Sequence, residues 1–197
     1  GELLGHWQVG PQPMDMVWRA GAPAADGDDA APRYQGRLFI AISGRNTVQV
    51  FGVDASKNMY RLETLNVALH SEVAEIAGMT PSALALSADA KSLYVVCSDA
   101  NAVAKVDVSA AASRVEGFIP VGWYPLAARG MADGSLLVLN WRGERSYANP
   151  KGPNPTIRKA PVHEGIVAVE YVAAIQRGSA SLISAPTVEQ MEQNTAE

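Results

Sequence analysis

The stretch that decides the fold is Ser87–Val108, SADAKSLYVVCSDANAVAKVDV, followed closely by Ile119–Pro125, IPVGWYP. An apolar run, Ser92–Ser98, is followed by an alternating run, Ala102–Val108, and the turn-forming residues Asp99-Ala100-Asn101 separate them. Two short runs of this kind with a tight turn between them predict an antiparallel hairpin.

The same order of strands and turns recurs on both sides of this stretch. Upstream, the predicted strands are Arg37–Ser43, Thr47–Val53 and Tyr60–Val67; downstream, Asp133-Gly134 precedes Ser135–Trp141. Each run is four to eight residues long and is bounded by Gly, Asn, Asp or Ser, which is typical of short β-strands.

A recurrent proline marks the repeat. The segments Val9–Pro13 and Val121–Pro125 share Val-Gly-x-x-Pro, and Met79-Thr80-Pro81 holds the corresponding place between them. Pro81 and Pro125 are 44 residues apart; the 68 residues from Pro13 to Pro81 reduce to one period without insertions near 20–36 and 68–78. Four short strands in about 40–50 residues are typical of a propeller blade.

Composition excludes several classes of protein. The 197 residues suit one domain, and a hydrophobic fraction of 48% excludes a disordered chain. A net charge of -4 disfavours nucleic-acid partners, and no run of 18 apolar residues predicts a membrane span. The single cysteine, Cys97, excludes an internal disulfide; it lies in an apolar run and is expected to be an inert core thiol.

We therefore predict an all-β fold, a partial β-propeller of about three to four blades of four-stranded antiparallel sheets with a short C-terminal helix. A β-sandwich also alternates strands and turns, but the recurrent Val-Gly-x-x-Pro favours the propeller. The helix is predicted from the capping box at Thr187–Gln190, and Ser71–Ala77 predicts a further turn or two of helix. Three blades do not close a ring, so either a longer protein, the simpler account, or several copies complete it.

The sequence resembles a known family. Ser87–Val108 and Ile119–Pro125 resemble the YVTN-type repeat of bacterial β-propellers, with Tyr94–Cys97 at the YVTN position and Cys97 in place of its Asn. Asn140–Pro155 resembles the motif N-x-x-G-x-x-S-x-x-N-P-x-G-P-N-P of propellers fused to a phosphoesterase of the alkaline phosphatase superfamily, although Trp141-Arg142 departs from it. The residues that follow in the same family order are Tyr171, Val172, Gly178, Ser181, Ile183 and Pro186.

The resemblance implies a parent enzyme that is a periplasmic or extracellular hydrolase. It implies that residues 1–186 are propeller blades and that 187–197 begin a link to a further domain. The catalytic residues and a divalent metal such as Zn or Ca would belong to that domain, so we predict no catalytic residue, metal site or cofactor in this chain. The partners implied are the rest of the propeller and the phosphoesterase domain, in the same chain or an associated one.

The candidate binding residues lie in the Pro-rich basic loop at 142–161 and directly beside it. Within it, Arg142–Lys159 carries a net charge of +4 in an acidic chain. The loop either docks the phosphoesterase domain, binds a phosphate or carboxylate, or is a solvated connection. The candidates for docking or binding are Asn140, Arg142, Arg145, Asn149, Lys151, Asn154 and His163. We expect the neighbouring aromatic residues Trp123, Tyr124 and Trp141 to be core between blades.

Other candidate sites have simpler interpretations. His6, His70 and His163 lack metal-ligand spacing, and Asp26–Asp29 lacks the ligand spacing of a calcium loop, which predicts a solvated insertion. Two alternative functions remain: a lactonase-like propeller with a metal in its central channel, and a cell-surface binding module without catalysis. Predicted inner strands such as Ala83–Leu86 look too apolar and small for the lactonase.

Overall fold

The computed structural model describes residues 1–21, 34–70, 72, 74–144 and 176–196. Their strands end where turn residues begin, and each strand contains at most eight residues. The elements are β1 (Pro13–Ala20), β2 (Gly36–Ile42), β3 (Thr47–Val53), β4 (Met59–Asn66), β5 (Pro81–Leu86), β6 (Ser92–Cys97), β7 (Ala102–Asp107), β8 (Arg114–Pro120), β9 (Pro125–Gly130), β10 (Leu136–Asn140), β11 (Ser179–Ile183) and α1 (Val188–Ala196).

The strands form three antiparallel sheets in chain order. Blade 1 is β1-β2-β3-β4, blade 2 is β5-β6-β7-β8, and blade 3 is β9-β10-β11, with three strands among the described residues. The first strand of each blade contacts the first strand of the next, β1 against β5 and β5 against β9. Successive meanders that meet through their first strands are arranged as blades of a propeller, so the structure confirms the predicted partial β-propeller.

The repeat is preserved in the backbone as well as in the sequence. Pro13, Pro81 and Pro125 each open the first strand of a blade, and each is followed by a β-bulge. The residue before each proline is in the left-handed region, at φ 54°, 50° and 55° for Gln12, Thr80 and Tyr124. Its carbonyl accepts a hydrogen bond from the residue that follows the second strand, over 2.9, 3.1 and 2.9 Å for Ser43, Ser98 and Trp141.

The core lies between the blades because alternate residues of each strand face opposite neighbours. Between blades 1 and 2, a large apolar cluster includes Phe39, Val95 and Cys97. Between blades 2 and 3, a smaller cluster includes Val96 and Leu136. Since Val95 and Val96 are consecutive, blade 2 has both faces covered.

The short C-terminal helix packs against blade 2. The capping box is confirmed: the Gln190 N–H donates to Thr187 Oγ1 over 3.3 Å, and the Thr187 N–H donates to Gln190 Oε1 over 3.0 Å. Met191 is buried in the cluster between blades 2 and 3, and the N–H of Phe118 in β8 donates to Thr195 Oγ1 over 3.1 Å. That residues 187–197 begin a link to a further domain stays a prediction.

The predicted strands agree with the observed ones to within about two residues, because their boundaries lie at local turn signals. Most of the insertion near 20–36 lies outside the described residues, and so do Ser71 and Val73 within the predicted helical turn. The described residues contain no helix with the length and apolar character that crossing a bilayer requires.

Candidate functional site

The described part of the candidate loop is its beginning. Asn140 is the last residue of β10, and Arg142 lies two residues beyond it. The other candidates, Arg145, Asn149, Lys151, Asn154 and His163, lie outside the described residues, so their predicted roles stay predictions.

Asn140 is buried between blades 2 and 3. Its amide Nδ2 donates to Ser179 Oγ over 3.1 Å and to Ser181 Oγ over 2.9 Å, on the neighbouring strand β11. Its Oδ1 has no hydrogen-bond partner among the described residues, and a Cβ added to Gly122 would lie 2.6 Å from its amide carbon. The buried side chain of Asn140 therefore links β10 to β11. It could contribute to docking only indirectly, by positioning the loop that begins after it.

Beside Asn140, the side chains of Tyr124, Trp141 and Arg142 form a cluster at the edge of blade 3, and the backbone of Trp123 is hydrogen-bonded to it; we call these four residues the rim cluster. The rings of Tyr124 and Trp141 meet edge to face, with centroids 5.6 Å apart. The guanidinium carbon of Arg142 lies 4.5 Å from the Tyr124 ring centroid and 5.6 Å from that of Trp141. These distances are typical of cation–π contacts.

Backbone hydrogen bonds hold the rim cluster in place. The N–H of Trp141 donates to the Tyr124 carbonyl over 2.9 Å, and the N–H of Arg142 donates to the Trp123 carbonyl over 3.0 Å. The N–H of Tyr124 donates in turn to Asn101 Oδ1 of blade 2 over 2.8 Å. The cluster is thus pre-organised by two blades, which reduces the conformational entropy that a partner would have to remove on binding.

The exposure of the rim cluster corrects one prediction. Trp123 and Trp141 were expected to be core between blades, but they are 40% and 51% exposed, and the Arg142 side chain is exposed beside them. The physical reason is their position, because both tryptophans lie in connections beyond the ends of strands, where no blade residue that the structure describes covers them. For Trp141 and Arg142, the signal in the sequence was their departure from the motif that Asn140–Pro155 resembles.

The described residues contain no group of three or more His, Cys, Asp or Glu side chains that could hold a metal ion. On the inner strand β1, Asp15 Oδ2 accepts a hydrogen bond from the N–H of Leu84 over 2.7 Å, so this carboxylate joins blades 1 and 2. Nothing in this arrangement favours the lactonase alternative. Cys97 is buried, which confirms its predicted place in the core, and burial raises the pKa of its thiol to about 12, which disfavours the reactive thiolate.

Next to the rim cluster, an open apolar groove of about 430 Å³ lies on the face of blade 3 that no described residue of another blade covers. Its lining includes Leu139 and Ala180, which are cross-strand partners, together with Leu126 and Ala127 on β9 and Trp141. Leu139 is 52% exposed, whereas Val96, at the corresponding position of blade 2, is fully buried. We call this feature the blade 3 groove.

Comparisons with known proteins give no family. No family model matches the chain, and no curated protein matches it. Among solved structures, a functionally unknown protein from Desulfotomaculum acetoxidans is 17% identical over 53% of this chain and 31% of that one, with a TM-score of 0.46. A protein from Lactobacillus plantarum is 22% identical over 56% and 32%, and hydrazine synthase from Kuenenia stuttgartiensis is 22% identical over 70% and 32%, both with TM-scores of 0.42. The chain thus spans about a third of each structure.

Proposed function

We propose that this chain is the non-catalytic propeller portion of a bacterial phosphoesterase, acting in the periplasm or outside the cell as a scaffold and docking surface. The propeller fold, the YVTN-like repeat of Ser87–Val108 and the resemblance of Asn140–Pro155 to the motif of propeller–phosphoesterase fusions support the proposal. The divalent metal, such as Zn or Ca, and the nucleophile belong to the phosphoesterase domain.

The observation that carries the docking role is the rim cluster. Exposed tryptophan and arginine side chains are the residue types that contribute most to protein–protein binding energy. Here Trp141 and Arg142 are exposed together, their backbone is held by hydrogen bonds to Tyr124 and Trp123, and the basic residues of the loop follow directly in sequence. An acidic or aromatic patch on the phosphoesterase domain would complement this surface.

The docking role is tested by binding. The reading frame that follows residue 197 is expressed and its phosphoesterase part purified, and its affinity for this chain is measured by calorimetry. Trp141→Ala and Arg142→Ala are each expected to weaken binding by about tenfold to a hundredfold, because both are exposed and pre-organised. Lys91→Ala is the matched control, since Lys91 is an exposed cation on a turn of blade 2. Equal affinities for all variants would contradict docking at the rim cluster.

The non-catalytic role is tested by activity. We expect no hydrolysis of bis(p-nitrophenyl) phosphate, or of a lactone, by this chain with added Zn²⁺, Mg²⁺ or Ca²⁺. The chain extended through its reading frame is expected to hydrolyse the phosphodiester. Robust turnover by the 197 residues alone would defeat the proposal, as would a reading frame with no phosphoesterase in it or beside it.

A further inference from the structure

Residues 2–8 correspond to the fourth strand of a blade. When Val9–Pro13 is aligned with Val121–Pro125, residues 2–8 align with Arg114–Pro120, which is β8, and Gly5 coincides with Gly117. In the structure residues 2–8 belong to no strand, and the apolar side chains of Leu3, Leu4 and Trp7 are exposed. The repeat therefore predicts that residues 2–8 can form a strand, but in the structure this segment pairs with no strand among the described residues.

Blade 3 lacks a fourth strand among the described residues, so it could accept the strand that residues 2–8 would form. In blades 1 and 2 a fourth strand pairs with the third, but among the described residues β11 pairs only with β10. Along the described part of the chain, the outer edge of β11 has no ladder partner, and the side chain of Leu182 on this strand is 71% exposed. An open edge of this kind is a template for adding another strand.

The register of blade 2 predicts how the strand would add. In blade 2 the third strand pairs with the fourth at Val103↔Ile119 and Lys105↔Gly117. In blade 3 the third strand is β11. Its pairing with β10 shows that Ala180 corresponds to Val103 of blade 2 and that Leu182 corresponds to Lys105. Residues 2–8 would therefore pair antiparallel to β11, with Trp7 opposite Ala180 and Gly5 opposite Leu182.

The side chains fit this register. In blade 2, Ile119 is buried beside Val103 and Val96, on the face toward blade 3. In blade 3 the corresponding positions are Ala180 and Leu139, which line the blade 3 groove of about 430 Å³. Alanine leaves more room than the valine of blade 2, so the groove is suited to a residue larger than isoleucine, and Trp7 is the residue that the register places there.

We propose that residues 2–8 of one copy of this chain complete blade 3 of a second copy, with Trp7 in the blade 3 groove. Residues 2–8 of the second copy complete blade 3 of the first in the same way. The dimer then contains six blades in a closed ring, a number within the range of known propellers. The exposed Met14, Met16 and Trp18 of blade 1 would then be covered by the open face of blade 3. The second copy is the occupant because this chain contains both the donor strand and the acceptor edge.

This inference rests on the fold and is independent of the proposed phosphoesterase. Sedimentation velocity at about 1–100 µM is expected to show a dimer of the 20.8 kDa chain. Deleting residues 2–8 is expected to give a monomer with unchanged far-UV circular dichroism, and Trp7→Ala to weaken the dimer about a hundredfold. Leu4→Ala is the matched control, because Leu4 corresponds to Glu116, the extra residue of the bulge in β8.

Cross-linking tests the register. Trp7→Cys combined with Ala180→Cys is expected to give a disulfide-linked dimer on oxidation, because cross-strand partners lie within disulfide distance. His6→Cys combined with Ala180→Cys is the control, since consecutive residues of a strand face opposite sides. Cys97 is buried and does not interfere.

Three outcomes would overturn the inference. The first is a monomer at every concentration, in which case other blades or another protein would cover the exposed faces. The second is a dimer that survives deletion of residues 2–8, and the third is equal cross-linking by both cysteine pairs.

Discussion

Cys97 and Asn140 occupy the same position of the repeat in blades 2 and 3, and their surroundings differ. Each is paired with the proline that opens its blade, Cys97 with Pro81 and Asn140 with Pro125, and each faces the preceding blade. Cys97 lies in the large apolar cluster between blades 1 and 2, whereas Asn140 bonds to Ser179 and Ser181. At this repeat position the interface between blades 1 and 2 is therefore apolar, whereas blade 3 places a buried amide at its interface with blade 2. From this difference we expect the first interface to resist truncation and polar substitution differently from the second.

The largest effect is expected from core truncations in the two interfaces. Leu93 and Leu136 hold the same repeat position and are both fully buried. Leu93→Ala is expected to cost about 4 kcal/mol and Leu136→Ala about 2–3 kcal/mol, because one face of blade 3 is not covered by any described residue of another blade and the blade can relax around the cavity. Urea unfolding at pH 7 measures both, and an equal or greater cost at Leu136 would contradict the comparison.

Exchanging the side chains of Cys97 and Asn140 tests directly whether the two interfaces differ in polarity. Cys97→Asn would bury an amide among apolar groups and is expected to cost about 2 kcal/mol. Asn140→Cys is expected to cost only about 1 kcal/mol, since Ser179 and Ser181 can bond to each other or to water. Urea unfolding of each variant checks these values, and a Cys97→Asn protein as stable as the wild type would show that this interface admits a polar group.

A smaller, local effect is expected at α1, which packs on the blade 2–blade 3 interface. Thr187→Ala removes the hydroxyl that accepts from the Gln190 N–H and is expected to cost about 1 kcal/mol of helix stability. Hydrogen exchange should accelerate in residues 188–196 and little elsewhere. Thr187→Ser keeps the hydroxyl and is the control; unchanged exchange in Thr187→Ala would mean that packing of Met191 alone holds the helix.

The smallest expected change in unfolding free energy at neutral pH comes from the ionisation of Cys97, and this contribution increases as the pH rises above 9. Burial raises the pKa of this thiol from 9.0 to about 12, so unfolding releases a proton only above about pH 9. The stability linked to this group is complete below pH 9 and is lost as the pH rises toward 12, by up to about 1.4 kcal/mol per pH unit. Unfolding free energies at pH 7, 9 and 10 should fall more steeply for the wild type than for Cys97→Ala; equal slopes would contradict the burial effect.

Most of the fold was predictable from the sequence, but less of the candidate site was. The strands, the prolines that open them and the capping box of α1 depend on residues within a few positions, so local patterns predict them. Arg37 shows where this fails: it stands at the start of a predicted strand, yet it is fully buried and donates to the carbonyls of Val108 and Ala111. Burial lowers the pKa of its guanidinium. The acceptors are about 70 residues away in sequence, so no local pattern identifies them.

The sequence by itself determined the period of the repeat, the turns and the first residue of each blade, because these follow from backbone conformations that Pro, Gly, Asn and Asp favour locally. Only the tertiary structure decided which face of each strand is covered. Val96 and Leu139 are equally apolar and hold the same repeat position, yet one is buried and the other is half exposed. The difference arises because a third blade packs on blade 2 and no described residue packs on that face of blade 3, and burial is a property of that neighbour, not of the side chain.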